Sequence, residues 1–222
     1  MIAVSKTSNP SRPMAQDRTV FNLTTLQCIP GGVAAVLEGI HKSLVGPRAP
    51  ALLGCWISEI GSLNEIVVLR SFPSAEALDE QAFGEAELAP HAGAIDSLVG
   101  LDQGLFASVP GLPVHAGGKL GGFYEIRTYA LRDAPQALPK TIAAWQEAAP
   151  GRVTLSPLVA ALQSLSGPPR IVHIWPFETL DQRQAVRADA FQKGLWPPRG
   201  SLQWLDGAKS SIYIPAPFSP LR

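Results

Sequence analysis

Tyr124-Glu-Ile-Arg-Thr-Tyr129 decides how this chain is read, because Phe21-Asn-Leu-Thr-Thr-Leu26 is a weaker copy of it. Both stretches open a strand. Phe21 and Tyr124 lie 103 positions apart, as do Thr25 and Thr128. Ile66 and Ile171, like Phe72 and Phe177, lie 105 apart. A near-constant spacing sustained from Phe21 to Phe72 marks a duplication. A second block, Gly54-Cys-Trp-Ile-Ser-Glu-Ile-Gly-Ser-Leu-Asn-Glu65, is sharp in the first copy and nearly erased in the second. Each copy has kept what the other let go.

The elements follow outward from these anchors. Residues Val20 to Gln27 read as a strand, broken by Pro30-Gly31-Gly32. Val33, Val36, Leu37, Ile40 and Leu44 then form one apolar stripe at helical spacing. Gly46-Pro47 and Pro50 end that helix. Leu52 to Ile60 and Glu65 to Phe72 are strands around a hairpin-length turn, Gly61 to Asn64. A helix over 75–83, a less regular helical stretch over 85–98 and a short strand from Leu105 to Val109 complete a β-α-β-β-α-β unit.

Residues 110–122 hold two prolines and five glycines and read as the linker. The order then recurs. Phe123 to Leu131 is a strand, and Leu138, Ile142 and Trp145 give the next helix its stripe, with Pro139 tolerable in the first turn. Val153 to Leu165 is open between strand and helix, and Pro157 argues against a central strand across the whole run. Arg170 to Phe177 is a strand, Thr179-Leu-Asp-Gln182 a capping box before a helix ending near Gly194, and Ser210 to Ile214 the last strand. The expected fold is α+β: two ferredoxin-like repeats whose antiparallel sheets pack face to face as an α/β barrel. The expected division is a flexible leader over 1–17, a first repeat over 18–109, the linker over 110–122 and a second repeat over 123–222.

Composition sets the remaining bounds. Of 222 residues 46% are hydrophobic and 16% charged, which supports a well-buried core. Eighteen basic and eighteen acidic residues cancel, and no basic block stands out, so nucleic acid and anionic membrane are poor partners. No stretch approaches the ~20 apolar residues of a membrane span. The first residues lack the apolar core of a signal peptide. Cys28 and Cys55 read as reduced, buried thiols, which fits a cytoplasmic compartment.

Four motifs together resemble the NIPSNAP family of the dimeric α/β-barrel superfamily. They are Tyr124-Glu-Ile-Arg-Thr-Tyr129, Glu59-Ile-Gly-Ser-Leu-Asn64, His173-Ile-Trp175 followed by Leu180-Asp-Gln-Arg183, and the tail Pro215-Ala-Pro-Phe-Ser-Pro-Leu221. The first repeat departs from the pattern, with Asn22, Thr24 and Leu26 where Glu, Arg and Tyr are expected. The second has Gly167-Pro-Pro169 in place of a Gly-Leu-Asn turn. The resemblance implies the fold. It leaves activity open, because one fold hosts unrelated chemistries.

Strand alternation then assembles a candidate site. Phe123, Glu125, Arg127 and Tyr129 share one strand face, and Ile171, His173 and Trp175 another. In a ferredoxin-like order these two strands are neighbours. If helices cover the apolar face of Tyr124, Ile126 and Thr128, the polar set lines the barrel interior. Glu125 and His173 are then the catalytic candidates, and Arg127, Tyr129 and Trp175 the ligand-binding ones. The equivalents Asn22, Thr24, Leu26, Val68 and Arg70 have lost the carboxylate, phenol and imidazole. Such a wall suits binding of a small organic molecule, with cofactor-free proton transfer or oxygenation as its chemistry.

A quieter reading stands beside it. Glu125 and Arg127 can be a structural ion pair, His173 a core histidine, and the chain a noncatalytic interaction or scaffold module. Trp196 and Trp204 flank a Pro-Pro-Arg-Gly loop and can cover a cavity mouth, and Phe218 can anchor the tail. No cofactor is expected. His41, His91, His115 and His173 lack paired metal spacing, and the linker glycines precede a strand, so they form no phosphate loop. His173 is the only placed haem candidate. The two units can complete a barrel alone as a pseudo-dimer in one chain, and a further homodimer is compatible with the zero net charge.

Overall fold

The computed structural model describes residues 19–44, 51–80, 85–91 and 93–222. The expected leader, the glycine-proline end of the first helix and the end of the 75–83 helix lie outside these residues.

The first repeat runs β1 (Val20–Cys28), α1 (Val33–Leu44), β2 (Ala51–Ile60), β3 (Glu65–Phe72), α2 (Ala75–Glu80), α3 (Glu85–Leu88) and β4 (Leu98–Ser108). The second runs β5 (Phe123–Leu131), α4 (Ala137–Val153), β6 (Ala160–Ser164), β7 (Arg170–Phe177), α5 (Leu180–Gln192), a 3-10 turn (Leu202–Trp204) and β8 (Leu205–Pro215). The duplication is visible in the pairing. Val20 faces Phe72 across β1 and β3, and Phe123 faces Phe177 across β5 and β7, so the 103 and 105 offsets carry one register.

All eight strands close into one antiparallel barrel in the order β1-β3-β2-β8-β5-β7-β6-β4. The repeats meet at two seams. At one, β2 pairs β8 from Trp56↔Pro215 to Ile60↔Ile212. At the other, β4 pairs β6 over only Phe106↔Ser164, Ala107↔Gln163 and Ser108↔Leu162. Among the described residues no helix is long and apolar enough to cross a membrane.

Three apolar clusters explain the layers. Phe21, Trp56, Leu69, Phe106, Tyr124, Ile126, Leu162, Ile174 and Tyr213 fill the barrel interior. An eight-stranded barrel is just wide enough to be packed by its own side chains. Leu26, Cys55 and Val68 on the outer surface pack under Val36 and Ile40 of α1. Ile171, Trp175 and Phe177 pack under Trp145 of α4, with Val186 of α5 beside them. The expected facing is therefore reversed: Tyr124 and Ile126 point into the barrel, and the polar set on β5 points out beneath the helices. The more apolar face went to the drier side, where every neighbour is another strand. Alternation defines which residues share a face, but not which face the helices take.

Local chemistry accounts for the boundaries. Thr179 caps α5, its hydroxyl accepting from Gln182 N at 3.1 Å, and Gly194 supplies the left-handed turn (φ 64°) after the helix. Pro139 sits in the first turn of α4, and Pro157 falls before β6. Helix over 85–98 is corrected to Glu85–Leu88, followed by turns, and β4 begins at Leu98 rather than Leu105. The early part of β4 carries Gly100, Asp102 and Gly104, which hide its strand character, and pairing with β1 holds it extended.

The linker and tail are stitched together. Gly118 N donates to Pro220 O at 2.9 Å and Leu120 N to Arg222 O at 2.7 Å. Gly121 has no room for a Cβ, which would lie 2.5 Å from the Phe177 carbonyl oxygen. Buried Ser219 accepts from Cys55 N at 3.0 Å and donates to Leu221 O at 2.7 Å. Phe218 stacks on His41 with centroids 4.7 Å apart, anchoring the tail as the sequence predicted.

Candidate functional site

The register places Glu125 opposite Trp175, Arg127 opposite His173 and Tyr129 opposite Ile171 on the outer face of β5 and β7. The polar set is therefore assembled as expected, but between the sheet and its helices. There it borders a cavity of about 320 Å³. Four of the five predicted residues line it: Glu125, Arg127, Tyr129 and Trp175. Trp196 and Leu202 from the loop after α5, Arg187 and Phe191 from α5, and Arg152 from the end of α4 complete the wall. Trp204 does not line it.

Glu125 is the hub. Its carboxylate is 2% exposed, and its Oε1 accepts from Arg183 at 2.5 Å, Ser210 Oγ at 2.7 Å and Arg187 at 3.1 Å. Arg127 Nε lies 3.7 Å away. Burial alone would raise this carboxyl. The hydrogen bonds from Arg183 and Ser210, with the charges of Arg127 and Arg183, outweigh burial and hold it below the usual carboxylate range. An ionised carboxylate engaged in this way fastens α5 to the sheet and is a weak base.

His173 is placed differently from the expectation. It is fully buried and does not line the cavity. Its Nδ1 accepts from Trp175 Nε1 at 2.6 Å, which leaves the ring proton on Nε2. Its ring meets Tyr129 and Trp145 edge-on, each at 4.7 Å. Burial first, then Arg127, Arg152 and Arg187, hold its pKa well below the usual imidazole value. It is a neutral core ring that orients Trp175, not a group with access to a ligand.

Arg152 was not singled out from the sequence. It is 4% exposed, donates to Ser156 Oγ at 2.8 Å and lies 4.2 Å over the Trp175 ring. Among the described residues no carboxylate lies within 4.0 Å of it. Burial draws its pKa down to about 10, so the guanidinium is still charged at neutral pH. Arg183 and Arg187 were also missed as site residues. Their signal was a basic stripe at positions 183 and 187 of a capped helix that has little apolar surface to bury.

On the same face of the first repeat the side chains bond to one another. Arg70 donates to Asn22 Oδ1 at 2.9 Å, Thr24 Oγ1 to the same oxygen at 2.8 Å, and all three are buried. Among the described residues no group of three or more His, Cys, Asp or Glu is placed to hold a metal ion.

The NIPSNAP family profile matches residues 21–82 and 124–220, which is most of both repeats. The chain belongs to the NIPSNAP family. A comparison with curated proteins gives no match. Among solved structures, this NIPSNAP protein is similar to an anthrone oxidase-like protein at 11% identity and a TM-score of 0.62, covering 90% of this chain and 92% of that one. A protein from Agrobacterium tumefaciens matches at 34% identity over 45% of this chain and 99% of its own, with a TM-score of 0.41. A NIPSNAP domain protein from Burkholderia xenovorans matches at 25% identity over 44% of this chain and 98% of its own, with a TM-score of 0.39.

Proposed function

We propose that this NIPSNAP protein binds a small organic anion with a flat, unsaturated body in the cavity beneath α4 and α5 of its second repeat. The observation that carries this reading is Arg152, a buried guanidinium on the cavity wall that feels the charge of Glu125 but, among the described residues, has no carboxylate within 4.0 Å. A buried charge is costly unless it is paired. The wall sets three arginines against the single carboxylate of Glu125, so an entering anion completes the charge balance. Trp175, Tyr129 and Trp196 supply aromatic faces on which a planar body can stack. The ligand sits outside the barrel, whose inward side chains leave a cavity of only about 60 Å³ between Glu65, Thr128 and Tyr213. Closure of the barrel within one chain supports a single-chain pseudo-dimer as the working unit.

Glu125 and His173 serve this site as positioning residues, the first by clustering arginines and the second by orienting Trp175. The test is calorimetric titration with benzoate and with benzyl alcohol, its neutral counterpart of similar size. Benzoate binding that Arg152→Met weakens about tenfold or more is expected, from the ~1.5–3 kcal/mol of a charge-assisted hydrogen bond. Equal binding of both probes, or benzoate binding indifferent to Arg152→Met, refutes the reading.

A further inference from the structure

The cavity has an order of polarity opposite to that of a site built for a small, fully hydrophilic ion. Its deep wall is charged: Arg152 is 4% exposed and Glu125 is 2% exposed. Its rim carries apolar side chains beside Arg187: Phe191 of α5 is 73% exposed and Leu202 of the 3-10 turn is 60% exposed. Exposed Pro197 and half-buried Trp196 continue the same edge. Other large apolar side chains are also exposed, such as Leu63 and Val99, but these stand together on the lining of one cavity, and an apolar patch that adjoins a cavity is a contact surface for what enters it.

Resting on the anion-binding reading above, we propose that the ligand is amphipathic, an oxyanion head on an apolar body longer than the cavity, which enters head first and leaves its tail across Phe191 and Leu202. Charge fixes the direction. The head goes to Arg152 and Arg127, the least exposed arginines of the wall, at 4% and 19% against 40% for Arg187. The tail then has only the mouth as an exit, and the mouth is where the apolar side chains stand. The ligand class is therefore an aryl or alkyl-aryl acid with a hydrophobic extension, not a short hydroxy acid or a sugar acid. The rim is continuous with the cavity, which assigns it to the ligand. A rim built for a second protein chain would instead show as self-association.

The test is a titration series of benzoate and 4-alkylbenzoates, from 4-methyl to 4-octyl, at fixed salt. Affinity is expected to rise about two- to fourfold per methylene once the chain reaches the rim, the increment of a partly to fully buried methylene. In the double variant Phe191→Ser, Leu202→Ser that rise should flatten. Circular dichroism checks that both proteins are folded, and the high exposure of both positions makes the change mild. Benzoate bound with a flat alkyl series overturns this proposal alone. No binding by any member overturns it together with the anion reading. A slope that survives in the double variant, or concentration-dependent sedimentation that the variant abolishes, also overturns it.

Discussion

Replacing Glu125 by glutamine tests whether the carboxylate fastens α5 to the barrel. The substitution keeps size and one carbonyl oxygen but removes the charge. Three hydrogen bonds reach Oε1, and two come from arginines. A bond to a charged group contributes about 1.5–3 kcal/mol. Arg187 is 40% exposed, so its share is close to that of a surface pair, about 0–1 kcal/mol. Arg183, at 26% exposure, retains more. Against these losses, the neutral amide no longer bears the burial cost of a carboxylate. The net destabilisation at pH 7 is about 2 kcal/mol, or roughly 4–8 °C in Tm for a chain of this size.

The pH dependence gives the sharper test. The folded Glu125 carboxyl is held below its ordinary value, so its contribution is fully present above the unfolded glutamate pKa of about 4.3. It is lost as pH falls through the lower, folded value. Urea unfolding of both proteins from pH 7 downward should therefore show a constant gap that starts to close near pH 4.3. A gap under about 0.5 kcal/mol at pH 7, or one unchanged well below pH 4, would refute the hub role.

Three further outcomes are expected. Arg152→Met should raise the thermal stability of the unliganded protein by about 1 kcal/mol while weakening benzoate stabilisation, because an apolar side chain removes a buried charge that has no carboxylate in contact with it among the described residues; melting curves with and without benzoate read both effects. His173 is neutral when folded and prefers the unfolded state once protonated, so stability should fall by up to about 1.4 kcal/mol per pH unit below about pH 6.5. His173→Phe should flatten that slope in urea titrations between pH 6.5 and 5. Ser219→Ala should cost about 1–3 kcal/mol in urea unfolding, since it strips a partner from the Cys55 N–H beneath the tail.

The sequence disclosed what is periodic or repeated. Strands β3, β5 and β7 were legible to the residue, and the 103 and 105 offsets carried the pairing register with them. Glu125, Arg127, Tyr129 and Trp175 could be grouped because they alternate along neighbouring strands. Their direction could not, since facing is settled by what the whole barrel can pack. Arg152 and Arg187 were hidden for another reason. They lie on helices far along the chain, and only the packing of α4 and α5 over the sheet brings them to Glu125 and Trp175. His173 looked like a base because its residue type permits it. Its burial among aromatic rings, invisible in the sequence, places it off the cavity wall.

The three-pair seam between β4 and β6 has a consequence for how such barrels can diverge. Two separate chains closing at so short a junction would have to overcome several kcal/mol of lost translational and rotational freedom. On one chain the two partners meet at an effective concentration on the order of millimolar or more, whatever the junction itself contributes. Covalent fusion thus releases one junction from the need to hold the assembly together. It also releases each half from having to suit an identical copy of itself. Within that freedom one flank could join Asn22 to Arg70 while the other set Glu125 and Arg152 around a cavity.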